Sequence, residues 1–358
     1  MARISLENLR QSYLPNPEAE SDYALKRLNL EWEDGGAYAL LGPSGCGKTT
    51  LLNLISGLLE PTEGKILFDG KDVSRATPEE RNIAQIFQFP VIYDTMSVYG
   101  NLAFPLRNRG VDEAEVDRRV RAMAEMLDLT SSLDKRARGL TADGKQKISL
   151  GRGLVRPDVN VIMFDEPLTV IDPHLKWKLR SKLKELHQRI KRTMIYVTHD
   201  QTEALTFADS VVVMNNGEVV QTGTPVELFE KPRHTFVGHF IGSPGMNVLP
   251  CEIKGGKPHF AGHAITSVNG ASAKQGGRKL EIGVRPEFVK IADQGITAEV
   301  AKISDAGRFR IIDTRVAGHS IKLLLPESAP VPEGKVNVAF DPAHTLVYED
   351  GWLAGARQ

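Results

Sequence analysis

Gly42-Pro43-Ser44-Gly45-Cys46-Gly47-Lys48-Thr49 is the stretch of sequence that decides the fold. It matches the pattern G-x-x-x-x-G-K-[ST] at every fixed position. In such a loop the glycines let successive backbone N–H groups turn inward and form a concave site for an anion. Lys48 is then placed to reach the β- and γ-phosphates of a nucleotide, and the Thr49 hydroxyl to ligate Mg²⁺. A chance glycine-rich turn is the alternative interpretation.

The residues on either side of the loop favour the phosphate site. Tyr38-Ala39-Leu40-Leu41 has the character of a short buried strand that leads into it. After the loop, apolar residues recur at helical spacing, so that a helix N-terminus points at the phosphates. These residues are Leu51, Leu52, Ile55, Leu58 and Leu59. We therefore expect a nucleoside triphosphate at residues 42–49 and at Thr50.

The composition is that of an ordinary globular protein. A length of 358 residues suggests two or three domains. Lys+Arg and Asp+Glu are equal at 45 each, so bulk charge gives no argument for a nucleic-acid partner. We find no signal peptide and no apolar run of roughly 18 residues, so we expect any membrane association to go through a partner. The two cysteines, Cys46 and Cys251, form no disulfide framework and fit a reducing cytosol.

Residues 1–240 have an α/β pattern. Val161-Ile162-Met163-Phe164 and Met194-Ile195-Tyr196-Val197 are typical of buried parallel strands. Residues 211–214 and 218–220 flank Asn215-Asn216-Gly217 and predict a hairpin. We interpret this region as a nucleotide-binding domain with a parallel sheet.

From about 92 to 150 the pattern becomes mainly helical, and we predict a helical subdomain inserted between two halves of the sheet. Asp112 and Glu115 stand where a capping pair would open a helix. Its predicted apolar stripe consists of Val116, Val120, Met123 and Leu127.

Residues 241–358 predict a second domain. The stretch 242–250 is rich in turn residues and is typical of a domain junction. Beyond it, glycines and short alternating runs, such as Leu280, Ile282 and Val284, predict a small all-β domain of sandwich or barrel type.

Acidic residues follow the first of the predicted parallel strands. Asp165 is placed to hold Mg²⁺, and Glu166 to polarise the attacking water as a general base or orienting group. Two adjacent acids after a strand are also compatible with a plain exposed turn. Asp172 downstream and Thr198-His199-Asp200 at the end of the next strand favour a catalytic set over an exposed turn.

In its order and spacing, this set resembles the ATP-binding subunits of ABC transporters over nearly the whole chain. The resemblance implies that Asp165-Glu166 are the Walker B acids, that Asp172 is the D-loop aspartate, and that His199 is the switch histidine that contacts the γ-phosphate. It also implies that Gln88 is the Q-loop glutamine, which senses Mg²⁺ and the attacking water beside the groove where the membrane subunit docks. Lys48, Gln88, Glu166 and His199 are thus the expected catalytic residues, and Thr49, Gln88 and Asp165 the expected Mg²⁺ site.

The adenine contact is assigned by the same resemblance to Tyr13. Tyr23 also lies upstream of the loop, and a core aromatic is the other interpretation of Tyr13. Cys46 occupies a variable position of the loop and receives no redox role.

The C-terminal region narrows the class. Gly242-Ser243-Pro244-Gly245-Met246-Asn247, residues 283–287 and Phe340-Asp341-Pro342 resemble importer ATPases for sugars, polyols and related solutes. In those proteins a C-terminal OB-like domain supports dimerisation and regulation. A domain that only stabilises the chain is the alternative.

The signature segment departs from the family pattern. The family's Leu-Ser-Gly-Gly-Gln caps the ATP of the opposite subunit, and here the matching stretch continues from Leu140 as Thr141-Ala142-Asp143-Gly144. Asp143 puts a carboxylate where a γ-phosphate should approach, and one like charge at about 4 Å costs about 4 kcal/mol at an effective dielectric near 20. Lys145 is expected to offset part of this repulsion, and Asp143 is equally suited to cap its own helix.

The resemblance implies ATP and Mg²⁺ as cofactors and a peripheral position on the cytoplasmic face of the inner membrane. The expected partners are transmembrane permease subunits, an extracytoplasmic solute-binding protein indirectly, and a second ABC ATPase subunit. We expect no nucleic acid. A heterodimer is favoured because a homodimer would carry the altered signature twice. The other two interpretations are an ATP-binding subunit that does not hydrolyse, and a soluble ABC-type ATPase of DNA repair or translation.

Overall fold

The computed structural model describes residues 2–269 and 277–355 and divides into two compact units, 1–225 and 226–358. The sequence pattern placed the domain boundary at 240/241. The segment between these two positions contains the helices α8 (Pro225–Glu230) and α9 (Thr235–Phe240), which the structure groups almost entirely with the second unit. The turn-rich stretch 242–250 therefore lies inside that unit, and its last residues form strand β11 (Asn247–Pro250).

The first unit is built around a six-stranded sheet. Its strand order is β10-β9-β3-β8-β7-β6, and every pairing is parallel except that of β9 with β10 at the edge. The central strands consist almost entirely of buried apolar residues, as expected for parallel strands covered on both faces. The strands are β3 (Ala37–Leu41), β6 (Ile83–Ile86), β7 (Val161–Asp165), β8 (Thr193–Thr198), β9 (Ser210–Asn215) and β10 (Glu218–Gly223).

A four-stranded antiparallel sheet adjoins it in the first unit, with the order β2-β1-β4-β5. Its strands are β1 (Ile4–Ser12), β2 (Tyr23–Trp32), β4 (Glu63–Phe68) and β5 (Lys71–Asp72). One core cluster joins apolar residues of both sheets and of helix α1 (Lys48–Ser56). This packing fixes α1 against the end of β3 and so sets the position of the phosphate loop.

The strands predicted at 38–41, 161–164 and 194–197 are present, and so are the predicted hairpin and the predicted helix after the loop. The hairpin turns at Asn216 and Gly217, both with positive φ, as a type I′ turn requires. Helix α1 is shorter than the spacing indicated. It ends at Ser56 because Gly57 adopts the left-handed conformation, so Leu58 and Leu59 lie beyond the helix.

The region predicted to be a helical insertion is helical. It contains α3 (Val98–Arg107), α4 (Glu113–Met126) and α5 (Ala142–Leu154). Asp112 caps α4, and the predicted stripe on α4 is buried. Glu115 does not complete a capping box, because its carboxylate pairs with Arg118 and Arg119 one turn later. The remaining helices of this unit are α2 (Pro78–Arg81), α6 (Pro173–Ile190) and α7 (Gln201–Phe207).

The second unit contains three antiparallel sheets, with orders β11-β15-β20-β21, β12-β13-β14 and β18-β17-β16-β19. Alternating residues of these strands form one apolar cluster that includes Ile282 and Val284, as the sequence pattern predicted. The strands after β11 are β12 (Glu252–Lys254), β13 (Lys257–Phe260), β14 (His263–Ala264), β15 (Leu280–Val284), β16 (Val289–Asp305), β17 (Phe309–Val316), β18 (His319–Pro326), β19 (Lys335–Phe340), β20 (Thr345–Glu349) and β21 (Trp352–Leu353).

Candidate nucleotide site

The phosphate loop connects the end of β3 to the start of α1. Gly47 stands immediately before the helix with φ 98°, and a Cβ atom there would lie 2.6 Å from Leu25 Cδ2 and 2.9 Å from the carbonyl oxygen of Ala24. Only glycine fits this position, both in conformation and in space. Because the next residue begins the helix, the unpaired N–H groups of its first turn face the loop, as an anion site requires.

Lys48 is held across the loop by backbone carbonyls. Its side chain is buried, and Nζ donates hydrogen bonds to the carbonyl oxygens of Gly42 at 2.8 Å and Pro43 at 2.9 Å. These contacts extend the side chain along the concave face of the loop, where the phosphates of a nucleotide would lie. The ammonium group is thus oriented before any ligand binds.

Thr49 and Asp165 come together from two different elements. The Thr49 hydroxyl, on the first turn of α1, donates to Asp165 Oδ1 at 3.3 Å, and Asp165 is the last residue of β7. Burial raises the pKa of the Asp165 carboxyl, and the neighbouring Glu166 raises it further. A divalent cation between these two oxygens would relieve that cost, so the donor set fits Mg²⁺. Mg²⁺ usually keeps several waters and takes few protein ligands. Among the described residues, no group of three or more His, Cys, Asp or Glu is placed to hold a metal ion.

Glu166 and His199 are in contact at the ends of two neighbouring strands. His199 Nδ1 lies 3.0 Å from Glu166 Oε2, and β7 pairs with β8 so that the residues following each strand meet at the same edge of the sheet. The Glu166 side chain is 19% exposed and that of His199 is 54% exposed. One oxygen of the carboxylate is thus oriented by the imidazole while the site stays open to water.

The backbone of Glu166 is strained. Its φ is 46°, in the left-handed region that non-glycine residues rarely occupy. Its N–H donates to the carbonyl oxygen of Val197, and its carbonyl accepts from the Thr169 hydroxyl at 3.0 Å. Such a conformation persists only where neighbouring contacts impose it, and it is characteristic of functional positions.

Two sets of polar contacts were not anticipated from the sequence. Glu203, which is buried, accepts from the hydroxyls of Thr198 at 2.9 Å and Tyr196 at 3.2 Å, and Thr198 in turn accepts from the N–H of Asp200. This network holds the loop that carries His199. In the sequence, an acid one helical turn beyond Thr198-His199-Asp200 is the signal that could have revealed this network.

Gln146 forms the second set. It is fully buried on α5, and Nε2 donates to the carbonyl oxygens of Phe87 at 3.2 Å and Pro167 at 2.9 Å. Because Phe87 precedes Gln88 and Pro167 follows Glu166, this amide connects the helical insertion to both segments. A glutamine inside a helix of otherwise mixed polarity carries no distinctive sequence signal.

Tyr13 and Tyr23 occupy different surroundings. The Tyr13 ring is 65% exposed, and its hydroxyl lies 3.0 Å from the hydroxyl of Thr50 next to the phosphate loop. The Tyr23 hydroxyl donates to Glu63 at 2.8 Å, and the Arg10 guanidinium covers its ring. Tyr13 is therefore the tyrosine with a free ring face near the loop.

The remaining predicted site residues lie on three segments. Gln88 is half-buried just after β6, and Asp172 caps α6, where its carboxylate accepts from the N–H of His174. The Cys46 thiol lies in the loop, 3.9 Å from Lys48 Nζ, and burial raises its pKa, which keeps it protonated and unreactive.

The altered signature segment opens helix α5, and two expectations about it are wrong. Asp143 does not cap the helix: Thr141 is the N-cap and accepts from the N–H of Gly144 at 3.3 Å. Lys145 does not offset the charge of Asp143, because it pairs with Asp94 at 3.1 Å. The cation beside Asp143 is Lys147, one turn further along α5, at 3.1 Å. A helix has a single N-cap, and residues four apart share a face whereas residues two apart do not.

Comparison with known proteins agrees with this geometry. A family model described as "ABC transporter" matches residues 25–169, and one described as "MalK OB fold domain" matches residues 242–289. The chain is 39% identical to the sn-glycerol-3-phosphate import ATP-binding protein UgpC of Bordetella bronchiseptica, over 90% of this chain and 88% of that protein. It is 35% identical to the protein of the same name from Jannaschia sp., over 98% of each.

Solved structures show the same cassette. The cbiO1 protein of Clostridium perfringens, part of the ABC transporter complex cbiONQ, has a TM-score of 0.57 and 29% identity, and the match covers 64% of this chain and 90% of cbiO1. The ATP-binding cassette MJ0796, solved as a dimer in a post-hydrolysis state with ADP and Pi, has a TM-score of 0.55 and 26% identity over 62% of this chain and 98% of that one.

In the part of the chain that the structure describes, every helix is too short or too polar to cross a bilayer. The cassette that binds ATP and the appended β domain thus account for both matching family models. The chain belongs to the ABC transporter family, as an ATP-binding import subunit with ATPase activity and a C-terminal OB-fold domain of the MalK type.

Proposed function

We propose that this chain hydrolyses Mg²⁺–ATP at residues 42–50, Asp165, Glu166 and His199 to drive the import of a small polyol-type solute. The contact between Glu166 and His199, at the sheet edge shared with Asp165, is the observation that carries the proposal. A subunit that only binds ATP would not need a carboxylate held beside an imidazole at this edge of the sheet.

Each side chain has a role that follows from its position. Lys48 and the N–H groups at the start of α1 bind and neutralise the phosphates. Thr49 and Asp165 would hold Mg²⁺, which screens the charge on the β- and γ-phosphate oxygens. Glu166 accepts a hydrogen bond from the attacking water or takes its proton, and His199 keeps the Glu166 carboxylate aimed at that water. Gln88 follows Phe87, whose carbonyl Gln146 holds together with that of Pro167, and it would link the site to the docked permease.

We infer that the transporter contains two different ATPase subunits, of which this chain is one. The segment 141–144 caps the nucleotide of a second subunit, and Asp143 brings a carboxylate to that nucleotide. In a heterodimer whose other subunit carries the regular signature, one site would stay fully competent, whereas a homodimer would carry the altered segment twice. Asp143 also favours a second candidate function, an ATP-binding subunit with little turnover of its own.

The relatives suggest the class of solute. The two UgpC proteins named above are sn-glycerol-3-phosphate import proteins, and residues 242–289 match the OB-fold domain of MalK. We propose glycerol 3-phosphate, glycerol or a sugar as the solute, recognised by permease subunits and a binding protein. The chain would sit at the cytoplasmic side of the inner membrane, held there by the permease.

The test is to recover the complete transporter through an affinity tag on this chain and to reconstitute it in proteoliposomes. ATP hydrolysis should increase when the binding protein is supplied with one of three radiolabelled solutes, sn-glycerol 3-phosphate, glycerol or maltose, and that solute should accumulate. Counting the ATPase chains by intact mass distinguishes a heterodimer from a homodimer. A complex that transports while its Glu166→Gln variant transports equally well would favour the second candidate function.

A further inference from the structure

We propose that Lys147 is a positioning residue, which keeps the segment 141–144 able to close over the nucleotide of the opposite subunit by offsetting the charge of Asp143. This inference rests on the proposed function, in which that segment faces a second ATP site. It concerns a residue outside the segment itself, one helical turn further along α5.

The pair is better enclosed than a comparable pair on the surface of the same subdomain. Asp143 Oδ2 and Lys147 Nζ are 3.1 Å apart, and their side chains are 24% and 14% exposed. Asp117 and Arg121 have the same four-residue spacing on α4, but their side chains are 43% and 65% exposed. Water screens the enclosed pair less, so Lys147 offsets more of the charge of Asp143 than an exposed cation would.

The surroundings of Lys147 add positive charge. Lys147 lines a small cleft together with Asp128, Lys178 and Lys182. Asp128 accepts from the two α6 lysines at 2.9 Å each. Three lysines therefore lie beside two carboxylates, those of Asp128 and Asp143. The net charge of this cluster of side chains is positive.

The start of α5 retains the features of an anion site. The Thr141 hydroxyl accepts a hydrogen bond from the N–H of Gly144. The N–H groups that precede it in the first turn of a helix have no partner inside the helix. Of the Asp143 carboxylate, Oδ2 faces Lys147, while Oδ1 has no hydrogen-bond partner among the described residues. With Lys147 in place the first turn presents its N–H groups and a paired carboxylate. Without Lys147 it would present a bare negative charge to a phosphate.

The test is a double-mutant cycle in the complex purified through this chain. Lys147→Met should lower ATP turnover at the site that residues 141–144 cap at least about tenfold, because it leaves an enclosed carboxylate uncompensated. The same change in a Glu166→Gln background should reduce the radiolabelled ATP that stays occluded per complex. Asp143→Asn combined with Lys147→Met should restore most of both values, and Lys147→Arg should stay near the wild type.

Arg121→Met is the matched control, since it removes the cation of the exposed pair on α4, and it should leave turnover unchanged. Wild-type turnover at the site that residues 141–144 cap in Lys147→Met would overturn the inference. So would a double variant as slow as Lys147→Met, because a purely structural role of Lys147 gives no rescue by Asp143→Asn. A wild-type complex without turnover and without occluded ATP would contradict the proposed function instead.

Discussion

At the scale of single residues, the site depends on side chains fixed by backbone contacts. Lys48 is oriented by two carbonyls, and Glu166 by a strained backbone and by His199. The residues to which the proposed function assigns the chemistry are therefore positioned before the nucleotide arrives, which would lower the cost of ordering them during turnover.

Glu166→Gln should retain ATP binding and lower turnover by about 10²–10⁴-fold, the usual contribution of a general base. The amide keeps the size of the side chain but cannot take a proton. ATP affinity by fluorescence and phosphate release under saturating ATP are the measurements. Glu185→Gln, on the exposed side of α6, is the control. Normal turnover in the Glu166 variant would remove this residue from the mechanism.

Tyr13→Ala should weaken ATP binding about tenfold, because base–aromatic stacking contributes about 1–3 kcal/mol. Tyr13→Phe keeps the ring and loses only the contact with Thr50, so it should bind ATP nearly as well as the wild type. Titration with ATP and with inorganic triphosphate separates the two contributions, since only ATP carries the base. Equal affinity for ATP in both variants would show that the ring does not hold adenine.

At the scale of elements, polar side chains connect helices to what they pack against. Asp128, just after α4, accepts hydrogen bonds from two lysines of α6. Gln146 donates hydrogen bonds to carbonyls in the segments that follow β6 and β7. In the second unit, the buried Arg285 donates to the carbonyl of Phe229 in α8 and to that of Ile241, the residue that follows α9. These contacts decide how the short helices are attached.

Asp128→Asn should make the free energy of unfolding smaller by about 1 kcal/mol at neutral pH, a modest value because the pair is about half exposed and screened. The hydrogen bonds from Lys182 and Lys178 lower the pKa of Asp128 from 3.8 to about 2. A carboxyl with a lowered pKa stabilises the fold above its unfolded value and loses this effect as pH falls through its folded value. The difference between wild type and variant in urea denaturation should thus shrink below about pH 4. A difference that is constant from pH 7 to pH 3 would contradict this assignment.

Arg285→Lys should lower the stability of the second unit by about 3 kcal/mol. Lysine cannot reproduce the planar fork that serves several carbonyls at once and stacks on Phe229, and buried carbonyls would lose their donor. Burial lowers the pKa of the Arg285 guanidinium to about 10, so the side chain stays charged at neutral pH. Thermal melting and proteolysis within residues 226–241 are the measurements. Arg308→Lys, on the hairpin between β16 and β17, serves as the control.

At the scale of the whole molecule, the proposed function gives one chain only part of a working site. The phosphate loop, Glu166 and His199 lie on this subunit, but the segment 141–144 would serve the nucleotide of another. If the subunits are unlike, this chain alone should turn over ATP slowly even at high concentration, and adding the second ATPase subunit should raise the rate per site about tenfold, in line with a weakened phosphate contact. Equal rates for the chain alone and for the mixture would contradict the asymmetry.

The sequence by itself determined the class of fold and the residues proposed for the nucleotide site, because the features that specify them are local. A glycine-rich turn, a capped helix and a buried apolar strand each need only a few consecutive residues, so the motif at 42–49 and the strand ending in Asp165-Glu166 were recognisable without coordinates. The same holds for the helical insertion and for the β-rich second domain.

Only the tertiary structure decided which side chains meet across elements. The partner of Asp143 proved to be Lys147 rather than Lys145, and the helices at 226–240 proved to belong with the second unit through Arg285. The buried contacts of Gln146 also join segments far apart in the chain, and those of Glu203 join the end of β8 to the helix that follows it. Such contacts depend on helix phase and on the packing of distant elements, and a pattern of neighbouring residues contains neither.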